Sequence, residues 1–167
     1  MLSLEFLITS FIVVLIPGTG VLFTVSVGIT QGKKASIYAA LGCTLGIVPH
    51  LLATILGLAA IMHTSAIAFE ILKYAGVAYL FYIAYATLKD TSAFTLEKTS
   101  SKNSALMLVV KALLLNILNP KLTIFFLAFL PQFVQSDASN PLALFLFLSG
   151  IFMLMTFIVF IFYGLLA

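Results

Sequence analysis

Two prolines, Pro17 and Pro120, occupy matching places inside two long apolar stretches, and the residues around them carry chemistry beyond packing. Phe11-Ile12-Val13-Val14-Leu15-Ile16-Pro17-Gly18 aligns with Leu114-Leu115-Asn116-Ile117-Leu118-Asn119-Pro120-Lys121, proline on proline. Proline has no N–H to bond four residues back and its ring clashes there, so the carbonyls of Val13 and Asn116 lose their helical donors. After the first break, Gly18-Thr19-Gly20 lets the backbone unwind, and N–H groups at a helix start can hold a carboxylate. After the second, Lys121 puts a cation deep in an apolar stretch, and Asn116, Asn119 and Thr123 share a helix face by their spacing. An ionisable residue at such depth usually marks a pathway. The bland alternatives are a lysine paired for structural reasons and a proline that only kinks its helix.

His50 follows Pro49 in another apolar stretch. It can titrate near neutral pH and carry a coupling proton, or act as a hydrogen-bonded structural residue. Cys43 has no second cysteine to pair with and reads as a small packing residue. Hydrolysis inside a membrane would need a nucleophile beside a base. Serines here sit at helix ends with no Ser/Lys or Ser/His pairing at depth, and no acidic cluster suits a metal. The chain therefore reads as no enzyme and as holding no metal.

Composition sets the elements that must position these residues. The chain is 63% hydrophobic and 8% charged, where a soluble domain carries about 25% charge, so it is an integral membrane protein. A helix crosses a hydrocarbon core of about 30 Å with about 20 apolar residues. Five stretches meet that length: 6–29, 35–62, 66–88, 105–130 and 142–167. The short alternating segments of a β-barrel do not occur, and the fold class is all-α. The first stretch follows Glu5 without a basic flank and runs past Gly20, too long for a signal-peptide core, so it is expected to be retained. The net charge of +3 reflects topology and leaves no basic patch for nucleic acid. Lys33, Lys34, Lys89, Lys98 and Lys102 all fall in the loops after spans one and three, which puts those loops in the cytoplasm and the N-terminus outside.

The Ser/Thr/Lys-rich segment 89–104 reads as a linker between a first repeat of three spans, 1–88, and a second of two, 105–167. Each repeat opens with a proline-broken span, and an odd number of spans inverts the second copy, as in many secondary transporters. The expected fold is a 3+2 remnant of a 3+3 inverted repeat, either shortened at its C-terminus or completed by a partner. In that fold the freed peptide groups of both breaks turn toward a shared wet pocket at mid-depth. Gly42 and Gly46 form a small-xxx-small motif, suited to tight packing within one subunit or to a homodimer face.

These residues together resemble the LysE/RhtB family of amino-acid exporters over essentially the whole chain. The resemblance rests on Asn116-Ile117-Leu118-Asn119-Pro120-Lys121, Phe125-Phe126 and Pro131-Gln132-Phe133, which match the family's fourth-span signature. It rests further on Gly28, Gly32, Gly42 and Gly46 at the family's spacing, and on Lys73 followed by Gly76-Val77-Ala78-Tyr79-Leu80. Pro17-Gly18-Thr19-Gly20 departs from the usual Pro-Gly-Pro, and Ala112 stands where a glycine is usual. The resemblance implies a proton-coupled secondary exporter of an amino acid or close derivative in the bacterial inner membrane, with no organic cofactor. Pro17, Gly18, Thr19, Gly20, Asn116, Asn119, Pro120 and Lys121 are then the expected substrate site, with His50 either its proton carrier or a hydrogen-bonded structural residue. The rival expectation is a shortened, non-transporting homologue that acts as a membrane interaction subunit.

Overall fold

The computed structural model describes residues 3–89, 104–135 and 138–167, so most of the expected 89–104 linker, 90–103, lies outside the described residues. The elements are α1 (Leu4–Leu15), α2 (Thr19–Gln31), α3 (Lys33–Leu45), α4 (Val48–Thr64), α5 (Ala66–Lys89), α6 (Ala105–Ile117), α7 (Pro120–Phe129) and α8 (Pro141–Leu166), with a 3-10 turn over Leu130–Phe133 after α7. Three segments, Lys33–Thr64, Ala66–Ala86 and Pro141–Leu166, are long and apolar enough to cross a membrane. Two bent pairs pass the same test when each is taken as one span: α1 with α2, at 53°, and α6 with Lys121–Phe133, at 66°. Both bends fall at the prolines that the sequence singles out.

Local chemistry starts most of these helices. Ser3, Ser104 and Asn140 accept from the N–H groups of Phe6, Met107 and Ala143 at 3.1, 3.3 and 3.1 Å, relieving the donors that a helix start leaves unpaired. Between α2 and α3 the chain reverses at Gly32, whose φ of 93° is one that a side-chain-bearing residue rarely adopts. The second span differs from its expected unbroken form. Pro49 cannot donate to the carbonyl of Leu45, and the helix slips at Gly46 and Ile47, where the Ile47 N–H turns to the Thr44 oxygen at 3.1 Å.

The central helix is α3, packed against α2, α6 and α8. Its glycines make that possible. A Cβ on Gly46 would lie 2.7 Å from the Asn116 Cβ, and one on Gly42 would meet the Val109 carbonyl and lie 2.7 Å from the Ala112 methyl. The small-xxx-small motif is thus occupied by α6 of the same subunit, and this face is closed to a second copy. Around α8, Phe126 and Phe152 meet edge to face at 5.2 Å, and Phe6 meets Phe133 likewise at 5.1 Å. Such pairs add about 0.5–1.5 kcal/mol beyond burial. On the flank, α5 approaches α7 where Gly76 meets the Ala128 backbone, and the Gln132 side-chain amide donates to the Lys73 carbonyl at 2.8 Å. Its other side leaves Ile67, Ile71 and Phe81 exposed, with a shallow recess of about 320 Å³ lined by Val77, Leu80, Phe81 and Ala84. None of those lining residues belongs to a helix break.

Candidate functional site

Among the described residues three interruptions fall inside the expected spans: at Ile16 to Gly18, at Gly46 and Ile47, and at Leu118 and Asn119. Each leaves carbonyls without helical donors. At every one, a side chain from another helix donates to a freed carbonyl. The Tyr163 hydroxyl of α8 donates to the Leu15 oxygen at 2.8 Å. The Asn116 Nδ2 of α6 donates to the Cys43 oxygen at 2.6 Å, the oxygen the Ile47 N–H has left. The His50 ring of α4 places Nε2 2.8 Å from the Asn116 oxygen. That oxygen also accepts from the Asn119 N–H at 3.0 Å, while the Val13 oxygen takes the Ile16 N–H at 3.3 Å. The two carbonyls expected to open onto a wet pocket are therefore satisfied by protein, because the break tightens and neighbouring donors reach in.

The His50 contacts define its tautomer. A carbonyl only accepts, so Nε2 carries the proton; in the neutral ring Nδ1 then accepts from the Thr123 hydroxyl at 2.6 Å. The ring is buried and ties α4 to both halves of the 66° bend. The contacts continue on the other side. Cys43 Sγ lies 3.7 Å from the Gly20 oxygen, which also accepts from the Thr24 hydroxyl at 2.8 Å. Gly20, Cys43, Asn116, His50 and Thr123 thus form an unbroken series from the first turn of α2 to the start of α7, linking one broken span to the other.

The expected site residues are distributed along this series. Pro17, Gly18 and Thr19 are exposed at the first bend, and Gly20 is buried, with room for no side chain because a Cβ would lie 2.8 Å from the Phe160 ring. The N-cap of α2 is Gly18, which has no side chain to accept with, and among the described residues no other side chain takes the N–H groups of its first turn. Asn116 is buried and its amide holds α3, whereas the Asn119 side chain caps its own helix through the Lys121 N–H at 3.1 Å. Pro120 opens α7, and Lys121 is exposed. Among the described residues no hydrogen bond or ion pair joins Lys121 to Pro17, Gly18, Thr19 or Gly20. Cys43, Thr24 and Tyr163 join the site from outside the expected set. Cys43 had a signal in its place between two glycines; Tyr163 had none, since its partner is a backbone oxygen 148 residues away. Among the described residues no three His, Cys, Asp or Glu side chains gather as a metal site needs.

A family model described as LysE type translocator matches residues 11–167. The chain belongs to that family. Among its relatives, an uncharacterized membrane protein of Vibrio cholerae is 33% identical over 132 residues, 79% of this chain and 64% of the relative. A homoserine/homoserine lactone efflux protein of Salmonella typhimurium is 32% identical over 130 residues, 78% of this chain and 63% of the relative. A leucine efflux protein of Klebsiella pneumoniae is 27% identical over 142 residues, 83% of this chain and 66% of the relative. The chain spans less than two thirds of the length of these relatives. No solved structure matches it. In this member of the family the Asn-x-x-Asn-Pro-Lys stretch divides its labour: Asn116 joins two helices, Asn119 starts a third and Pro120 makes the bend. Gln132, from Pro131-Gln132-Phe133, fastens the far end of the same half-helix to α5. It is a membrane protein, on its family and on its apolar helices together.

Proposed function

We propose that the chain is the transport core of a secondary exporter, moving an amino acid or a close derivative outward across the bacterial inner membrane in exchange for protons. The observation that carries this reading is the series Gly20, Cys43, Asn116, His50, Thr123, which makes the two broken spans one mechanical unit. The uncapped start of α2 receives the substrate carboxylate through its free N–H groups, and Lys121 supplies the opposing charge. Asn116 and Asn119 hold the half-helices in register around the substrate, and Gly18, with nothing within 4 Å of its Cβ position, keeps its approach open. His50 takes up and releases the coupling proton at Nδ1, the nitrogen not committed to a carbonyl. The two segments 1–88 and 105–167 act as inverted halves that rock about this joint. Relatives named for homoserine and leucine efflux support the amino-acid class. The test is efflux from cells loaded with a panel of amino acids. Lys121→Ala should abolish export at unchanged abundance in the membrane; export equal to the parent removes the site.

A further inference from the structure

Thr24, Thr44 and Thr156 are buried on helices, and each donates its hydroxyl to the carbonyl four residues back at 2.8 Å. Helical hydroxyls in an apolar interior normally do this. Ser10, Thr54 and Ser149 do not: they are 0%, 1% and 4% exposed, yet their oxygens have no hydrogen-bond partner among the described residues. All three lie inside helices where the same back-bond is within reach. Each is bracketed on its own helix face by members of one apolar cluster: Phe6 and Val14 for Ser10, Leu51 and Leu58 for Thr54, Phe145 and Phe152 for Ser149. The three hydroxyls therefore stand among members of one cluster, on α1, α4 and α8, and α8 packs against both of the others. Thr54 also lies one turn beyond His50 on the same face of α4. Among the described residues no Asp, Glu, Lys or Arg is buried.

We propose that Ser10, Thr54 and Ser149 line a small uncharged chamber, next to the His50 joint, that takes up a neutral hydrogen-bonding guest: water, or the hydroxyl or amide of a passing solute. Only the solute arm rests on the exporter reading. The chemistry suits such a guest because hydroxyls both donate and accept, while no buried Asp, Glu, Lys or Arg stands among the described residues to compensate a charge.

Single cysteines at Ser10, Thr54 and Ser149, and at the 66% exposed, outward-facing Leu56, test this in the full chain in native membranes. The probe is methyl methanethiosulfonate, which reacts with the thiolate and so reports hydration; the parent, with Cys43 alone, sets the background. The expected result is modification at least about ten-fold faster at the three positions than at Leu56→Cys, since hydrocarbon disfavours the ionised thiol. Slowing by added leucine or homoserine assigns the guest to the solute, and unslowed labelling assigns it to water. A rate at Thr54→Cys no faster than at Leu56→Cys overturns the chamber. Labelling needs no transport, so a failed efflux assay leaves this result standing. If Thr54→Cys does not accumulate, the isosteric Thr54→Val decides: a lowered melting temperature supports the guest, whereas an equal or higher one marks a dry, unpaired hydroxyl and overturns it.

Discussion

The His50 Nε2 stands 2.8 Å from the backbone oxygen of Asn116, the carbonyl that Pro120 deprives of its helical donor. A residue of the second span thereby completes the break in the fourth, and the same ring reaches Thr123 beyond the bend. His50→Gln can keep both a donor and an acceptor but cannot take a proton. It should preserve the melting temperature of the purified protein and abolish pH-gradient-driven accumulation, while substrate exchange continues. His50→Ala loses both bonds and should destabilise by about 1–3 kcal/mol. Gradient-driven export by His50→Gln at the parental rate would remove the coupling role.

Asn116 works in the opposite direction across the same interface, giving its Nδ2 to the Cys43 oxygen at 2.6 Å. Asn116→Ala keeps the Cβ that Gly46 packs against but leaves a buried carbonyl without a donor. The expected cost is about 1–3 kcal/mol in a detergent unfolding titration. A variant as stable as the parent would mean that water replaces the amide, and that the joint is wetter than its burial implies.

Glycines on the second span separate close approach from helix propensity. Gly42→Ala drives a methyl into the Val109 carbonyl and the Ala112 side chain, so α3 and α6 must part, at a cost of about 1–3 kcal/mol. A methyl added at Gly57 would meet no heavy atom within 4 Å, and Gly57→Ala should gain about 0.5–1 kcal/mol from a stiffer unfolded chain. Melting temperatures of the two variants should therefore move in opposite directions.

Tyr163 holds the first break through the Leu15 oxygen at 2.8 Å. Tyr163→Phe removes only that hydroxyl and should cost about 0.5–1.5 kcal/mol. Amide exchange should quicken at the end of α1 and the start of α2, with no change in α6. Uniform exchange across all helices would show that the bond does not act locally.

Some of this architecture is a local property of the chain. Apolar length names the spans, because a bilayer of given thickness asks only for a run of residues. Proline names the carbonyl that loses its donor, four residues back, whatever the rest of the fold does. Thus the bends at Pro17 and Pro120 are legible from the residues. The break ahead of Pro49 is equally local in origin, but the apolar residues on both sides of it read as one continuous stretch. What only the tertiary structure decided is who meets the freed carbonyls: partners 66, 73 and 148 residues away in the chain. Those pairings require α3 to lie close against α6, and α8 beside α1, an arrangement set by many small packing contacts at Gly42, Gly46 and the phenylalanine cluster. Hydrocarbon leaves no water to satisfy an open peptide group, so a break can persist only where the fold delivers a donor to it.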